Sequence, residues 1–66
     1  MTVLLNGQSQ TLDANSTVAD VLERLGRKPL GLAVEINREV IPRSRHADTI
    51  VKEGDRIEIV HMVGGG

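Results

Sequence analysis

The residues with the clearest chemical potential are Val63-Gly64-Gly65-Gly66, which follow the alternating run Arg56-Ile57-Glu58-Ile59-Val60-His61-Met62. Consecutive glycines serve no purpose as core, helix or ladder, because they bring no side chain to pack and maximal backbone entropy to lose. What they offer is a free carboxylate on a thin thread. From Met62 onward an extended segment reaches roughly 15 Å at about 3.3 to 3.6 Å per residue, enough to enter another protein's active site. A tunnel sized for bare backbone excludes every residue that carries a Cβ. Gly66 is therefore the candidate reacting residue, and Gly64 and Gly65 the residues that thread. A carboxylate resists nucleophiles, since its charge repels them and oxide is a hopeless leaving group, so activation must come first. Joined to AMP as a mixed anhydride it becomes an acyl donor, and a sulfur nucleophile then leaves a thiocarboxylate. The alternative is an ordinary frayed chain end.

The rest of the chain offers no rival chemistry. Cysteine is absent, so there is no disulfide framework, zinc knuckle or thiol nucleophile. Ser9, Ser16 and Ser44 lack a nucleophile signature. His46 and His61 have neither HxH nor HExxH spacing and read as satisfied or solvated imidazoles, so no metal site is expected. No phosphate-cradling loop is present. ATP for activation would have to be handled by a partner, and the chain itself is expected to bind no cofactor and to be no enzyme.

Composition narrows the partners. Eight Lys and Arg against nine Asp and Glu give a net charge of -1 with the signs interspersed, and there is no Phe, Tyr or Trp. Nucleic acid is excluded as a partner, because the basic stripe and the stacking platforms it requires are both missing. Arg43-Ser44-Arg45-His46 is the densest basic stretch and reads as a solvated loop. No apolar run approaches the roughly 20 residues needed to cross a bilayer, and no signal peptide opens the chain, so no membrane role and a cytoplasmic location are expected. At 66 residues there is one domain, near the lower size limit for a single core, and that core must be aliphatic.

The elements that must position the tail can be read in order. Val3 to Leu5 and Gln8 to Leu12 flank Asn6-Gly7, the pair favoured in a type I′ hairpin because both central residues need positive φ. Leu4 has the opposite parity to Val3 and Leu5, which puts it on the outer face. Val18, Val21, Leu22 and Leu25 fall at i, i+3, i+4 and i+7 of a helix, Thr17 and Asp20 form a capping pair, and Gly26 with Pro29 ends it. Leu32, Val34 and Ile36 alternate as a third strand, turned by Asn37-Arg38 into a short edge strand, Glu39 to Ile41, which Pro42 stops. Arg43 to Lys52 form an irregular loop that Ile50 and Val51 tack to the core. Glu53-Gly54-Asp55 then turns into the last strand, where inward Ile57 and Ile59 leave Val60 and Met62 on the outside.

This order predicts a two-layer α+β domain, a mixed four- to five-stranded sheet on one main helix, with a body over residues 1–62 and a flexible tail over 63–66. Leu5-Asn6-Gly7, Thr17 to Leu22, Val34 to Arg43 and above all Gly54 to Gly66 resemble the ThiS family, the β-grasp, ubiquitin-like sulfur carriers of thiamin biosynthesis. The resemblance implies that the Gly66 carboxylate is adenylated by a ThiF-like adenylyltransferase using ATP. It is then converted to a thiocarboxylate with sulfur from a donor such as a cysteine desulfurase system, and used by thiazole synthase ThiG. Leu4, Val60 and Met62 become a candidate docking surface, since a carrier must be held by its body while its tail reaches the chemistry. Two relatives in chemistry or fold compete: the small subunit of molybdopterin synthase, disfavoured by the short connection from Arg27 to Gly31, and a ubiquitin-like conjugation tag.

Overall fold

The computed structural model describes residues 1–28 and 31–61. Five strands and one helix follow in the order β1 (Thr2–Leu5), β2 (Gln8–Thr11), α1 (Val18–Arg24), β3 (Leu32–Ile36), β4 (Glu39–Ile41), a 3-10 turn (Arg43–Arg45) and β5 (Arg56–His61). The sheet order is β2-β1-β5-β3-β4. β5 and β1 run parallel at the centre, and every other pair is antiparallel. This is the mixed β-grasp sheet expected above, with β4 at an edge.

Both hairpins close on residues at positive φ, Asn6 and Gly7 in one and Asn37 and Arg38 in the other. Their strands therefore pair through two-residue loops, Leu5 opposite Gln8 and Ile36 opposite Glu39. One sheet face is apolar. Val3, Leu5, Leu32, Val34, Ile36, Ile57 and Ile59 bury against Val18, Val21 and Leu22 of α1, with Leu12 and Val51 closing the ends. Burying each such side chain contributes about 1.5 to 3 kcal/mol, which is how a core without aromatic rings holds. The space among Val18, Val21, Leu22, Val34, Val51, Ile57 and Ile59 has no volume that a water could occupy.

The helix is short and capped at both ends. Asp20 N–H donates to Thr17 Oγ1 at 3.1 Å and Thr17 N–H to Asp20 Oδ2 at 3.0 Å, the reciprocal box expected from the pair. Val18 and Ala19 donate instead to the carbonyls of Thr49 and His46, so the loop after β4 occupies the first-turn donors. At the other end Gly26, at φ +70°, lets Arg27 N–H reach Leu22 O at 2.9 Å and Gly26 N–H reach Glu23 O at 3.0 Å, a Schellman closure. The contribution of Pro29 to this stop lies outside the described residues.

Three details depart from expectation. Leu25 is 40% exposed: it is the cap residue, one place past the end of the helix at Arg24. In the loop only Val51 reaches the core; Ile50 is exposed and is held through its backbone, by a bridge to Thr17. His46 is not solvated. It is only 5% exposed, its Nε2 donates to Ile41 O at 3.1 Å, and its own carbonyl takes the Ala19 N–H, so it pins β4 to the helix. Since a carbonyl can only accept, that bond places a proton on Nε2.

Candidate functional site

β5 is the element that carries the candidate reacting end, and it is held on both sides. From β3 it receives a full antiparallel ladder, Ile36 opposite Ile57 through Leu32 opposite His61. From β1 it receives a parallel pairing that covers only Leu4 with Arg56 and Leu5 with Ile57. Its first residues are fixed by the preceding turn: Gly54 N–H donates to Thr2 O at 2.8 Å, Leu4 N–H to Asp55 O at 2.9 Å, and Lys52 N–H to Asp55 Oδ2 at 2.8 Å. Thr2 N–H in turn donates to Glu53 Oε1 at 2.9 Å. The two carboxylates of this turn thus have backbone partners and no catalytic geometry.

Side chains alternate along the strand. Ile57 and Ile59 face the core, while Arg56, Glu58 and Val60 face out. His61, at the end, is exposed beside Arg27, Lys28 and Leu32, which together line a shallow cavity of about 240 Å³. Among the described residues no group of three or more His, Asp or Glu gathers in a metal-holding cluster.

Of the candidate docking residues, Leu4 and Val60 both stand on the outer face, 38% and 47% exposed. The sheet does not bring them together. Leu4 is opposite Arg56, and Val60 lies four residues further along β5, about 13 Å away at roughly 3.3 Å per residue. Leu4 belongs to the end of the sheet with the Asn37-Arg38 turn and Gly54, whereas Val60 stands at the end from which the tail departs. The apolar neighbour of Val60 on β3 is Ala33, directly opposite; Val40, 60% exposed, is paired with Glu35, two strands over and one row away on the same face. Val40 was missed in the sequence, although its parity opposite to Ile41 marks it as outward. Met62, Gly64, Gly65 and Gly66, and with them the body-tail boundary at residues 62 and 63, lie outside the described residues.

The strand order, the helix and the ending can now be set beside known proteins. The ThiS family model matches residues 3–66. This chain belongs to the ThiS family. Over 66 residues it is 36% identical to the sulfur carrier protein ThiS of Escherichia coli, covering 100% of each chain. The crystal structure of the thiamine biosynthesis protein ThiS from Geobacter metallireducens superposes with a TM-score of 0.87 at 33% identity, again covering 100% of both chains. A thiazole synthase from Paramagnetospirillum magneticum contains a similar stretch, 39% identical over 66 residues, which is 100% of this chain and 20% of that protein. The chain therefore spans about a fifth of that relative and the whole of the ThiS relative, and the ThiS β-grasp matches the five-stranded sheet described here.

Proposed function

We propose that this ThiS-family chain is a sulfur carrier protein that donates sulfur for formation of the thiazole ring of thiamin. The observation that carries this reading is the family match itself, which runs from residue 3 through Gly66 and so includes the glycine ending. The chain is the co-substrate of partner enzymes and is itself no catalyst. An oxygen of the Gly66 carboxylate attacks the α-phosphorus of ATP in the active site of a ThiF-like adenylyltransferase, forming the acyl adenylate and releasing pyrophosphate. A persulfide, supplied by a donor such as a cysteine desulfurase system, attacks the carbonyl carbon and AMP leaves; a thiol then cleaves the resulting acyl disulfide, forming a disulfide with the donor's sulfur and releasing the terminal sulfur on the carbonyl. The product is a thiocarboxylate at Gly66. Gly64 and Gly65 thread the partner's tunnel, residues 1–62 form the body that is gripped, and the reactions run in the cytoplasm.

Thiazole synthase ThiG is the acceptor in this scheme. The thiazole synthase of Paramagnetospirillum magneticum, which carries a ThiS-like stretch within its own chain, supports that partnership. For docking, exposed Val60 with Ala33 opposite offers an apolar surface at the end of β5, which Met62 would extend. Leu4 would serve a partner large enough to span the sheet.

The test is tandem mass spectrometry of the protein incubated with activating enzyme, ATP and a sulfur donor. Oxidation of Met1 or Met62 gives almost the same nominal shift as replacing oxygen by sulfur. The change must therefore be localised to a fragment that contains Gly66 and lacks Met62. Sulfur in that fragment is the expected result; an unmodified carboxylate after full incubation sinks the carrier reading.

A further inference from the structure

β1 stops accompanying β5 before β5 ends. The two strands pair only through Leu4 with Arg56 and Leu5 with Ile57, after which the chain turns away at Asn6-Gly7. Asn6 N–H donates to Ile57 O at 2.8 Å, which shows that the odd-numbered residues of β5 point their peptide groups toward β1. Ile59 is the next odd residue, and no β1 backbone remains to meet it. The Asn6 side chain fills that place. Its Oδ1 accepts the Ile59 N–H at 2.8 Å, and its Nδ2 donates to the Ile59 carbonyl at 3.4 Å, the longer and weaker of the two.

A side-chain amide carries the same donor and acceptor as a peptide group, so Asn6 continues the ladder by one rung after the strand has ended. Aspartate retains the acceptor and loses the donor; glycine retains neither. The position also demands φ of +48°, a region that Asn, Asp and Gly tolerate and most residues do not. Asparagine is thus the residue that meets both demands. In the sequence, Asn6 had only a turn to make.

We propose that Asn6 is a positioning residue for delivery of the reactive end: by holding Ile59 on the side opposite β3, it sets the direction in which β5 leaves the sheet. This rests on the sulfur-carrier reading. Without that rung, Ile59 to His61 hang on β3 alone, opposite Leu32 to Val34, and pivot about it. A docked partner would still grip the outer face, but the end would enter the active site from a wider range of angles.

The experiment compares wild type, Asn6→Gly, Asn6→Asp and a control, Asn37→Gly, which removes side-chain bonds of the corresponding asparagine at the start of β5. Asn6→Gly keeps the positive φ, so the hairpin survives while both bonds to Ile59 are lost. Two quantities are read: amide hydrogen exchange at Ile59, and carrier-dependent pyrophosphate exchange by the activating enzyme over a range of carrier concentrations. Exchange at Ile59 is expected to quicken about tenfold in Asn6→Gly, with Asn6→Asp nearer wild type because the short bond remains. The kcat for adenylation is expected to fall about fivefold in Asn6→Gly, with partial rescue in Asn6→Asp and no fall in Asn37→Gly.

A loss of folded protein gives a different pattern. It lowers the concentration of usable carrier and raises apparent KM, while saturating carrier restores kcat. Wild-type kcat in Asn6→Gly, with or without faster exchange, overturns the proposal, as does an equal fall in Asn37→Gly. Failure of the wild type to support pyrophosphate exchange is separate: it overturns the carrier reading, and the functional role of Asn6 falls with it.

Discussion

The two hairpins use the same turn on opposite sides of one strand. In each, the first turn residue is an asparagine at positive φ whose N–H donates to β5, Asn6 to Ile57 O and Asn37 to Arg56 O, both at 2.8 Å. In each, the asparagine Oδ1 accepts from β5, at 2.8 Å from Ile59 and 3.0 Å from Arg56. The difference lies in what else is reached. Asn37 Nδ2 donates to the Asp55 carboxylate at 3.1 Å and secures the turn before β5, whereas Asn6 Nδ2 goes to the backbone of β5 itself. The second turn residue also differs: glycine occupies φ +83° in one hairpin and arginine φ +70° in the other. The same leading asparagine thus opens a relaxed hairpin beside the middle of β5 and a strained one beside its start. The turn type decides which residues fit, but the side chain's reach decides what the turn secures.

Three substitutions probe this comparison, beginning with the largest effect. Ile57 sits between the two anchors with a fully buried side chain, and Ile57→Ala is expected to destabilise the protein by about 3 kcal/mol, read by urea or thermal unfolding. Loss of less than about 1 kcal/mol would mean that the anchors hold β5 without its core contacts. Gly7→Ala comes next. An added Cβ there meets nothing within 4 Å, so its expected cost of about 1 to 2 kcal/mol is backbone conformation alone. Arg38→Gly should move the other way, by about 0.5 kcal/mol, because relief of the left-handed strain outweighs the extra freedom of the unfolded chain. If both turn substitutions shifted the unfolding midpoint in the same direction, the contrast between a relaxed and a strained hairpin would be wrong.

Much of the fold was legible because its periodicities are clean. Val3 and Leu5, Leu32 to Ile36, and Ile57 with Ile59 alternate as half-buried strands do, and Asn6-Gly7, the Thr17 and Asp20 pair and Gly26 each state a local geometry with a known physical cause. The errors came where tertiary structure decides. Leu25 continues the helical spacing but lies at the cap, and the polar neighbours of His46 concealed a buried pin, since nothing local says that Ile41 O and Ala19 N–H converge on it. Of the candidate site, Gly66 lies outside the described residues, while the exposure of Leu4 and Val60 was legible. Their separation was not, because it follows from the register of a parallel pairing between the first and last strands, and that register leaves no mark on the order of residues. The second task of Asn6 was hidden for the same reason.

That parallel pairing also bears on how the molecule comes into being. β1 is the first strand to be synthesised and β5 the last, yet they lie side by side in the middle of the sheet, with β2 and β4 at the margins. Remove β5 and what remains is two separate hairpins, β1 with β2 and β3 with β4, neither of which is stable in isolation. A growing chain therefore cannot assemble its core piecemeal; the contacts that close it span nearly the whole length, which slows folding. Interrupted translation products that lack residues 56–61 give proteases an unfolded chain, and partners nothing to grip. Completion of β5 and closure of the core are one event, so the order of the strands makes the fold a check on whether residues 56–61 have been made.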